Sequence, residues 1–479
     1  MWKQAKVAPL LKKGDLLIPK NYRPVALLPI LSKILEKVVF QQIVEYLDSN
    51  KLLSPLHHGC RSVHNTATAL IQMYDQWVEE VEAGQMVGVM MIDLSAAFDM
   101  VDYSLLLDKL ALFELEAEVT QWLQSYLTGR SQSVLVDGCL SPPLNIEFGV
   151  PQGSILGPLM YIIFTNDIPD LVHDHAISYD MPEPHCSGCG STVCYVDDAT
   201  FSVSHSDPAI LSQKLTNQYK RIEEYMAANK LVINGDKTHL VVMGSKAHTA
   251  KRQDVRLQAG DHNILPSSTE KLLGGIISQD LKWKQHLLDS DQSLVCQLTS
   301  RINGLSLISS SSTFATKLMV ANGIILSKLC YLIQLWGGTE AYLLKSLQVL
   351  QNRAARIVIG CSWFTPTRTL LKKCNWLSVK QMIFYQSVIL THKIVKNGSP
   401  FYLAQKMSTT HAYRTRQATA GGIRYGELFA STQSRTQDSF CYRTAGQYNS
   451  IPAEIRSITY FPKFKTKLKQ WVGSNVPID

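Results

Sequence analysis

The chain has 479 residues, 46% of them hydrophobic and 18% charged, with a formal net charge of +8. That balance excludes a disordered chain and leaves room for roughly two to four domains. Met1-Trp2-Lys3-Gln4 opens no apolar signal segment, and the most apolar long stretch, Leu318 to Trp336, is interrupted by Gly323 and Lys328. Neither export nor a membrane span is indicated. Ten cysteines scattered from Cys60 to Cys441 follow no disulfide framework, so reduced thiols and an intracellular location, nuclear or cytoplasmic, are expected. The net charge conceals an asymmetry. Residues 1–339 hold 27 Lys and Arg against 34 Asp and Glu, whereas residues 340–479 hold 20 against 5. An acidic body followed by a basic region points to a polyanionic partner for the latter.

In chain order, Asn21-Tyr22-Arg23-Pro24 begins an extended, proline-bracketed segment. Leu31, Leu35, Val38, Val39, Ile43 and Leu47 have helical spacing. His57-His58-Gly59-Cys60-Arg61 reads as a loop, and Asn65 is placed to cap a helix from Thr66 to Val81. Val87 to Ile92 is an apolar run of strand length with Asp93 at its end. Asp93 has two readings: N-cap of a helix after Ser95, or a metal ligand projecting from a sheet edge. One or two helices over Leu105 to Leu127 and a strand near Ser133 to Asp137 lead to Gly149-Val150-Pro151-Gln152-Gly153-Ser154. There, glycines on both sides of a Pro-Gln pair permit close backbone approach, and Ser154 can cap the apolar helix that follows.

Asp170 to Val193 is awkward. Cys186-x-x-Cys189 with His185 and Cys194 could supply four zinc ligands, yet adjacent His185 and Cys186 are poorly placed to share one tetrahedral ion. A loop with free thiols is the competing reading. Next comes Tyr195-Val196-Asp197-Asp198 between β-branched and aromatic runs, read as strand, tight turn, strand. Adjacent carboxylates repel, and hard cations such as Mg²⁺ relieve that repulsion. A helix over Leu211 to Asn229, a strand-turn-strand with Gly235-Asp236-Lys237 at its turn, and a hairpin at Glu270 to Ile277 follow. The remainder reads as mostly helical, and in the last helix Lys463, Lys465, Lys467 and Lys469 flank an apolar stripe.

Taken together, these elements resemble the reverse transcriptases of non-LTR (LINE-type) retrotransposons, especially the jockey-like branch, over nearly the whole chain. Asn21 to Pro24 and Gly59-Cys60-Arg61 are similar to the fingers motifs, Asp93 to Asp99 to motif A, and Gly149 to Gly157 to motif B. Tyr195 to Asp198 matches motif C, Asn234 to Thr238 motif D, and Leu272 to Gly275 the primer grip.

The resemblance implies an α/β right-hand polymerase, its palm an antiparallel sheet. Its expected parts are fingers over 1–85, a palm with intervening fingers elements over 86–268, a primer grip and thumb over 269–339, and a basic helical region over 340–479. It implies RNA-directed DNA synthesis from a primer 3′-OH, with RNA template, DNA or RNA primer and dNTPs as partners. Asp93, Asp197 and Asp198 would hold two Mg²⁺ ions. Phe98 would be the steric gate against a ribose 2′-OH. Gln152 and Gly153 would line nucleotide and template, Arg61 would clasp the triphosphate, and Lys237 would donate a proton to pyrophosphate.

Cys60 and Asn65 replace residues the family usually carries, as does Gly275, and the insert before motif C is long. The chain begins within the first fingers motif, as expected of a copy lacking the family's endonuclease. Two rival readings are a remnant that only binds nucleic acid through 340–479, and group transfer on another phosphate substrate.

Overall fold

The computed structural model describes residues 3–12, 14–172, 190–260, 262–407, 423 and 439–478. Strands β1 (Gln4–Leu11) and β2 (Tyr22–Leu27) pair antiparallel, with Pro9 opposite Pro24. A proline cannot donate to a ladder, and both positions tolerate it: β2 is a sheet edge, and Pro9 lies past the stretch of β1 that pairs on its other side. Helix α1 (Ile30–Ser49) buries Ile43 and Leu47, but the first half of its expected apolar stripe, Leu31, Leu35 and Val38, is exposed. Helix α2 (Thr66–Glu82) is capped by Asn65 as its sequence predicts: the Asn65 side chain accepts the Thr68 N–H at 3.0 Å, and the Thr68 hydroxyl answers the Asn65 N–H.

Strand β3 (Met86–Ile92) is buried at every residue. Helices α3 (Tyr103–Ala111) and α4 (Ala117–Leu127) precede strands β4 (Arg130–Val136), β5 (Cys139–Leu140) and β6 (Leu144–Ile146). Strand β4 pairs parallel with β1 and antiparallel with β6, so residues from both ends of the first 146 share one five-stranded sheet. Helix α5 (Leu156–Phe164) is buried at every residue but Pro158. Its start is held by Ser154, whose hydroxyl accepts the Gly157 N–H, and by the buried Glu36 of α1, which accepts the Ile155 and Leu156 N–H groups. A carboxylate there also meets the positive end of the helix dipole.

Strands β7 (Ser191–Tyr195) and β8 (Asp198–His205), helix α6 (Pro208–Ala228) and strand β9 (His239–Met243) complete the central layer. Its sheet runs β7-β8-β3-β9, antiparallel at each pairing. The unbroken apolar run of β3 follows from covering both faces. Val87, Val89 and Met91 belong to one core, with α2; Met86, Met90 and Ile92 belong to the other, with α5 and α6. Each fully buried Leu, Ile, Phe or Met contributes roughly 1.5–3 kcal/mol, so the sheet is anchored from both sides.

After the short pair β10 (Leu257–Ala259) and β11 (His262–Ile264), strands β12 (Thr269–Leu272) and β13 (Gly275–Ser278) form the expected hairpin. Its two-residue turn, Leu273-Gly274, has φ of +45° and +78°, the type I′ pattern that matches strand twist. Helices α7 (Leu294–Leu307) and α8 (Phe314–Ala321) follow. The apolar stretch from Leu318 runs through α8, a π-type segment Asn322–Leu326 and α9 (Ser327–Leu329), then breaks at Leu332 before α10 (Ile333–Trp336). No helix among the described residues is long and apolar enough to cross a membrane.

The C-terminal region holds α11 (Ala341–Ile359), α12 (Thr367–Cys374), α13 (Val379–Asn397), α14 (Phe401–Lys406), α15 (Phe440–Asn449), α16 (Ala453–Arg456) and α17 (Phe461–Asn475). Composition marks this region off by charge alone. In the structure, Leu347, Val358, Val388, Phe440 and Leu468 share a continuous core with Leu70 and Trp77 of α2. Cutting the chain after Thr339 would therefore open that core rather than release a separate unit.

A buried polar cluster sits in this seam. Asp75 of α2 lies beside Cys441 of α15, and Lys406 of α14 pairs with Glu79 at 2.5 Å. Burial, helped by the Glu79 charge, pushes the Asp75 carboxyl up to about 6 against the pull of Lys406 and of hydrogen bonds from Cys441. A carboxyl whose folded pKa is raised binds its proton more tightly when folded. The stability it contributes is present at low pH and lost as pH rises from about 4 to about 6. Asp75→Asn is expected to gain on the wild type by on the order of 2 kcal/mol between pH 4.5 and 7.5. Urea unfolding at both pH values measures this, and a pH-independent difference would mean that Lys406 keeps Asp75 ionised.

Candidate active site

The β3–β8 register ends at Ile92↔Ala199, which sets Asp93 across from Asp198. Tyr195↔Asp198 closes the β7–β8 hairpin, leaving Val196 and Asp197 as a two-residue turn. Thus the three predicted carboxylates meet at one edge of one sheet. Val196 holds φ at +59°, a conformation that β-branched residues avoid, and such strain gathers where the surroundings over-determine it. Those surroundings are visible. Cys194 donates its N–H to the Leu56 carbonyl at 3.0 Å, and His58 donates to the Cys194 carbonyl at 2.8 Å, laying the 56–58 loop along β7. A Cβ on Gly59 would stand 2.8 Å from Val196 Cγ2, so the loop passes the turn only because Gly59 has none.

Asp93 caps no helix. The chain after it turns through Ala96 in the left-handed region into a short 3₁₀ turn, Ala97–Asp99. Its carboxylate instead takes the Lys237 ammonium at 2.9 Å, and its carbonyl accepts the Asn234 N–H at 2.9 Å, which fixes the start of the Lys237 turn. An ammonium on Asp93 already does part of what a bound cation would do.

Burial, then the charges of Asp197 and Asp93, push the Asp198 carboxyl up to about 6. Burial and Asp93 likewise raise Asp197, opposed by Arg23 and Lys12. Arg23 stands on β2 and Lys12 just past the end of β1, and sequence reading assigned neither a role of its own.

The loop at 149–154 is stitched to both neighbours. Val150 donates its N–H to the Phe98 carbonyl and Gly149 to that of Val101; Ala26 of β2 donates to the Gln152 carbonyl at 2.7 Å. The Gln152 side-chain amide donates to both oxygens of Asp99 at 2.9 and 2.8 Å, a bond the sequence did not reveal. Asp99 is itself raised by burial, against Gln152 and Lys12. Gly153 has φ of +108°, and a Cβ there would stand 2.9 Å from the Ala26 carbonyl oxygen. The half-buried Phe98 packs on Tyr161, ring centroids 4.8 Å apart.

Arg61 pairs with Asp48 at 3.2 Å and donates to the Ser54 carbonyl at 2.8 Å, and its side chain is only 14% exposed. In this arrangement it braces the 54–61 loop. His185, Cys186 and Cys189 lie outside the described residues. Cys194 is buried in β7, where desolvation raises its thiol and disfavours the thiolate that zinc requires. Among the described residues, no three His, Cys, Asp or Glu side chains already converge to hold one ion. The edge carboxylates still fit a hard divalent cation in chemistry: they are oxygen donors, partly desolvated and mutually repelling. Zinc, which prefers nitrogen and sulfur, they do not fit.

A central antiparallel sheet with this acidic edge, a mixed sheet above it and a hairpin leading into helices is the architecture of a template-directed polymerase. The chain belongs to the reverse transcriptase (RNA-dependent DNA polymerase) family, whose pattern matches residues 10–277. It is similar to the probable RNA-directed DNA polymerase from transposon X-element of Drosophila melanogaster, 27% identical over 74% of this chain and 37% of that protein. It is also 27% identical to the RNA-directed DNA polymerase from mobile element jockey of Drosophila funebris, over 73% of this chain and 37% of that protein. The chain therefore spans well under half the length of these relatives. Among solved structures, apo telomerase from Candida tropicalis aligns with 84% of this chain and 63% of its own, at 12% identity and a TM-score of 0.42.

Gly149 provides a structural check on this site. Gly84 and Gly149 share nearly the same φ, +83° and +85°, but a Cβ at Gly84 meets nothing, whereas one at Gly149 stands 2.8 Å from the Asp99 carbonyl oxygen. Both alanine variants carry the backbone strain, about 1–3 kcal/mol. Gly149→Ala is expected to lose at least about 1 kcal/mol more, from overpacking against Asp99. Thermal melts of the two variants measure the difference, and equal losses would refute the tight seam.

Proposed function

We propose that this chain is an RNA-directed DNA polymerase of the non-LTR retrotransposon type, adding dNTPs to a DNA or RNA primer 3′-OH on an RNA template. The observation that carries the proposal is that Asp93, Asp197 and Asp198 share one sheet edge, next to a loop tied to both β2 and the turn after Asp93. Asp93, Asp197 and Asp198 would hold Mg²⁺. When bound, such ions lower the pKa of the attacking hydroxyl and stabilise the departing pyrophosphate.

The chain's own groups have separate tasks. Asp197 and Asp198 are raised by burial and by the neighbouring carboxylates, and Asp93 holds the Lys237 ammonium, so a bound cation would relieve the repulsion at this edge. Lys237 neutralises Asp93 in this state; once released, its ammonium is free to give a proton to pyrophosphate. Lys12 and Arg23, whose charges act on Asp197, would join Arg61 in meeting the triphosphate. Gln152, by holding Asp99, keeps the turn after Asp93 against the nucleotide-lining loop. Phe98, backed by Tyr161, would be the steric gate against a ribose 2′-OH. An intracellular location, where RNA and dNTPs are available, accords with this reading.

Two measurements test it. Mg²⁺-dependent dNTP incorporation on a primed RNA template should fall roughly a thousandfold or more in Asp93→Ala and in Asp197→Ala, as for loss of a principal electrostatic contact in catalysis. The melting temperature should stay at or above that of the wild type, because each change removes a repelling carboxylate. Retained incorporation in either variant would end the assignment. Separately, Phe98→Val should raise ribonucleotide over deoxyribonucleotide incorporation by at least tenfold, roughly 1.4 kcal/mol of discrimination. An unchanged preference would remove Phe98 as the gate.

A further inference from the structure

From Ala341 to Met407 the sequence contains ten Lys and Arg and no Asp or Glu. Within this stretch, the loop joining α11 to α12 carries two large aromatic side chains in water, Trp363 at 64% exposure and Phe364 at 91%. Exposed rings of this size are costly unless something covers them, and single-residue packing does not account for two in succession. Their neighbours are cationic. The Arg356 guanidinium lies over the Trp363 ring, 4.5 Å from its centroid, and is held toward the loop by the Thr365 carbonyl. Exposed Arg368, Lys372 and Lys373 follow on α12, the first two one helical turn apart. At the far end of α12, Lys469 of α17 donates to the Asn375 carbonyl at 3.0 Å, which brings the lysines of α17 next to this surface. The loop is a fixed part of the fold: Asn352 of α11 donates to Thr367 of α12 at 2.9 Å, and Leu370 and Leu371 anchor α12 in the core.

We propose that Trp363 and Phe364, with Arg368, Lys372 and Lys373 beside them, form a binding platform for unpaired nucleotides of a single-stranded nucleic acid. The chemistry is complementary on both counts. Every base has an apolar face that stacks on an aromatic ring, and every nucleotide brings a phosphate for a cation. Arg356 occupies one face of Trp363, so the ring stacks its base on the other. A protein partner with an apolar face would also cover the rings, but a segment without a single acidic residue to balance ten basic ones favours a polyanion.

The platform is distinct from the catalytic edge. Helix α11 starts beside the thumb, where Glu340 pairs with Lys282 just after the β12–β13 hairpin, and carries the loop at its other end. Nineteen residues at 1.5 Å each place the loop about 28 Å from that ion pair. The inference deepens the proposed handling of an RNA template, but its test requires no catalysis.

The experiment measures anisotropy of a labelled, unstructured twenty-nucleotide RNA and of the DNA of the same sequence, bound to the full chain without Mg²⁺ or dNTPs. Trp363→Ala/Phe364→Ala should weaken binding about tenfold or more, and Trp363→Tyr/Phe364→Tyr should restore most of it. Arg368→Gln/Lys372→Gln/Lys373→Gln should lower the slope of log affinity against log salt by about 2, near 0.7 per lost phosphate contact. A blunt duplex should bind the alanine variant and the wild type alike. Loss on RNA alone identifies RNA as the ligand, and equal loss on DNA identifies the unpaired nucleotide whatever its sugar. Unchanged single-strand affinity in a folded alanine variant, or an equal loss on the duplex, overturns the proposal. Because binding is read without turnover, a chain that fails to polymerise yet shows the loss leaves the platform standing and removes only the polymerase reading.

Discussion

The pairing of β3 with β8 is the constraint on which the rest of this structure depends. Seven consecutive residue pairs, from Met86↔His205 to Ile92↔Ala199, set which side chains of β3 enter which core and where Asp93 emerges. Side chains alternate along a strand, so a slip of one residue would exchange Val87, Val89 and Met91 with Met86, Met90 and Ile92 and send each set to the wrong face. The same slip would take Asp93 away from Asp198. Packing specificity and catalytic geometry are therefore a single property here, enforced by two cores acting on one strand.

What that register assembles is electrostatically unfavourable by itself. Burial and mutual repulsion raise Asp197 and Asp198, and Val196 is held in a strained turn between the strands. The fold offsets this with groups drawn from distant parts of the chain. Lys237 comes from the turn before β9, Lys12 and Arg23 come from the outer sheet, and the 56–58 loop is hydrogen-bonded along β7. None of these contacts is local in sequence. They rest on a sheet whose apolar burial is large enough to tolerate a few kcal/mol of local cost.

This distribution explains what could be read from the sequence. The elements that carry chemistry were legible because short-range rules fix them: an apolar run ending in Asp93, paired carboxylates at a hairpin, Asn65 before a helix, and glycines around Pro151-Gln152. The Leu273-Gly274 turn was legible for the same reason. The Arg61–Asp48 pair was not legible, because Asp48 lies on a helix whose orientation no local pattern specifies. The Gln152–Asp99 bond and the Glu36 support of α5 were invisible for the same reason, each joining positions more than fifty residues apart. Region 340–479 was separable by charge but not by packing. Leu347, Val388 and Leu468 look like ordinary helical core positions, and nothing in their spacing says that α2 shares their core.

The charge asymmetry noted at the outset acquires a physical meaning in three dimensions. An edge of three carboxylates repels nucleic-acid phosphates until cations are bound, so it cannot be the source of affinity for a template. The segment without acidic residues begins at α11 and extends the surface about 28 Å from the hairpin, several times the screening distance of about 8 Å at physiological salt. Charges at the far end of α11 are therefore screened from those near the hairpin. Sharing one core with α2, the basic helices keep a fixed place relative to the central sheet that carries the three carboxylates.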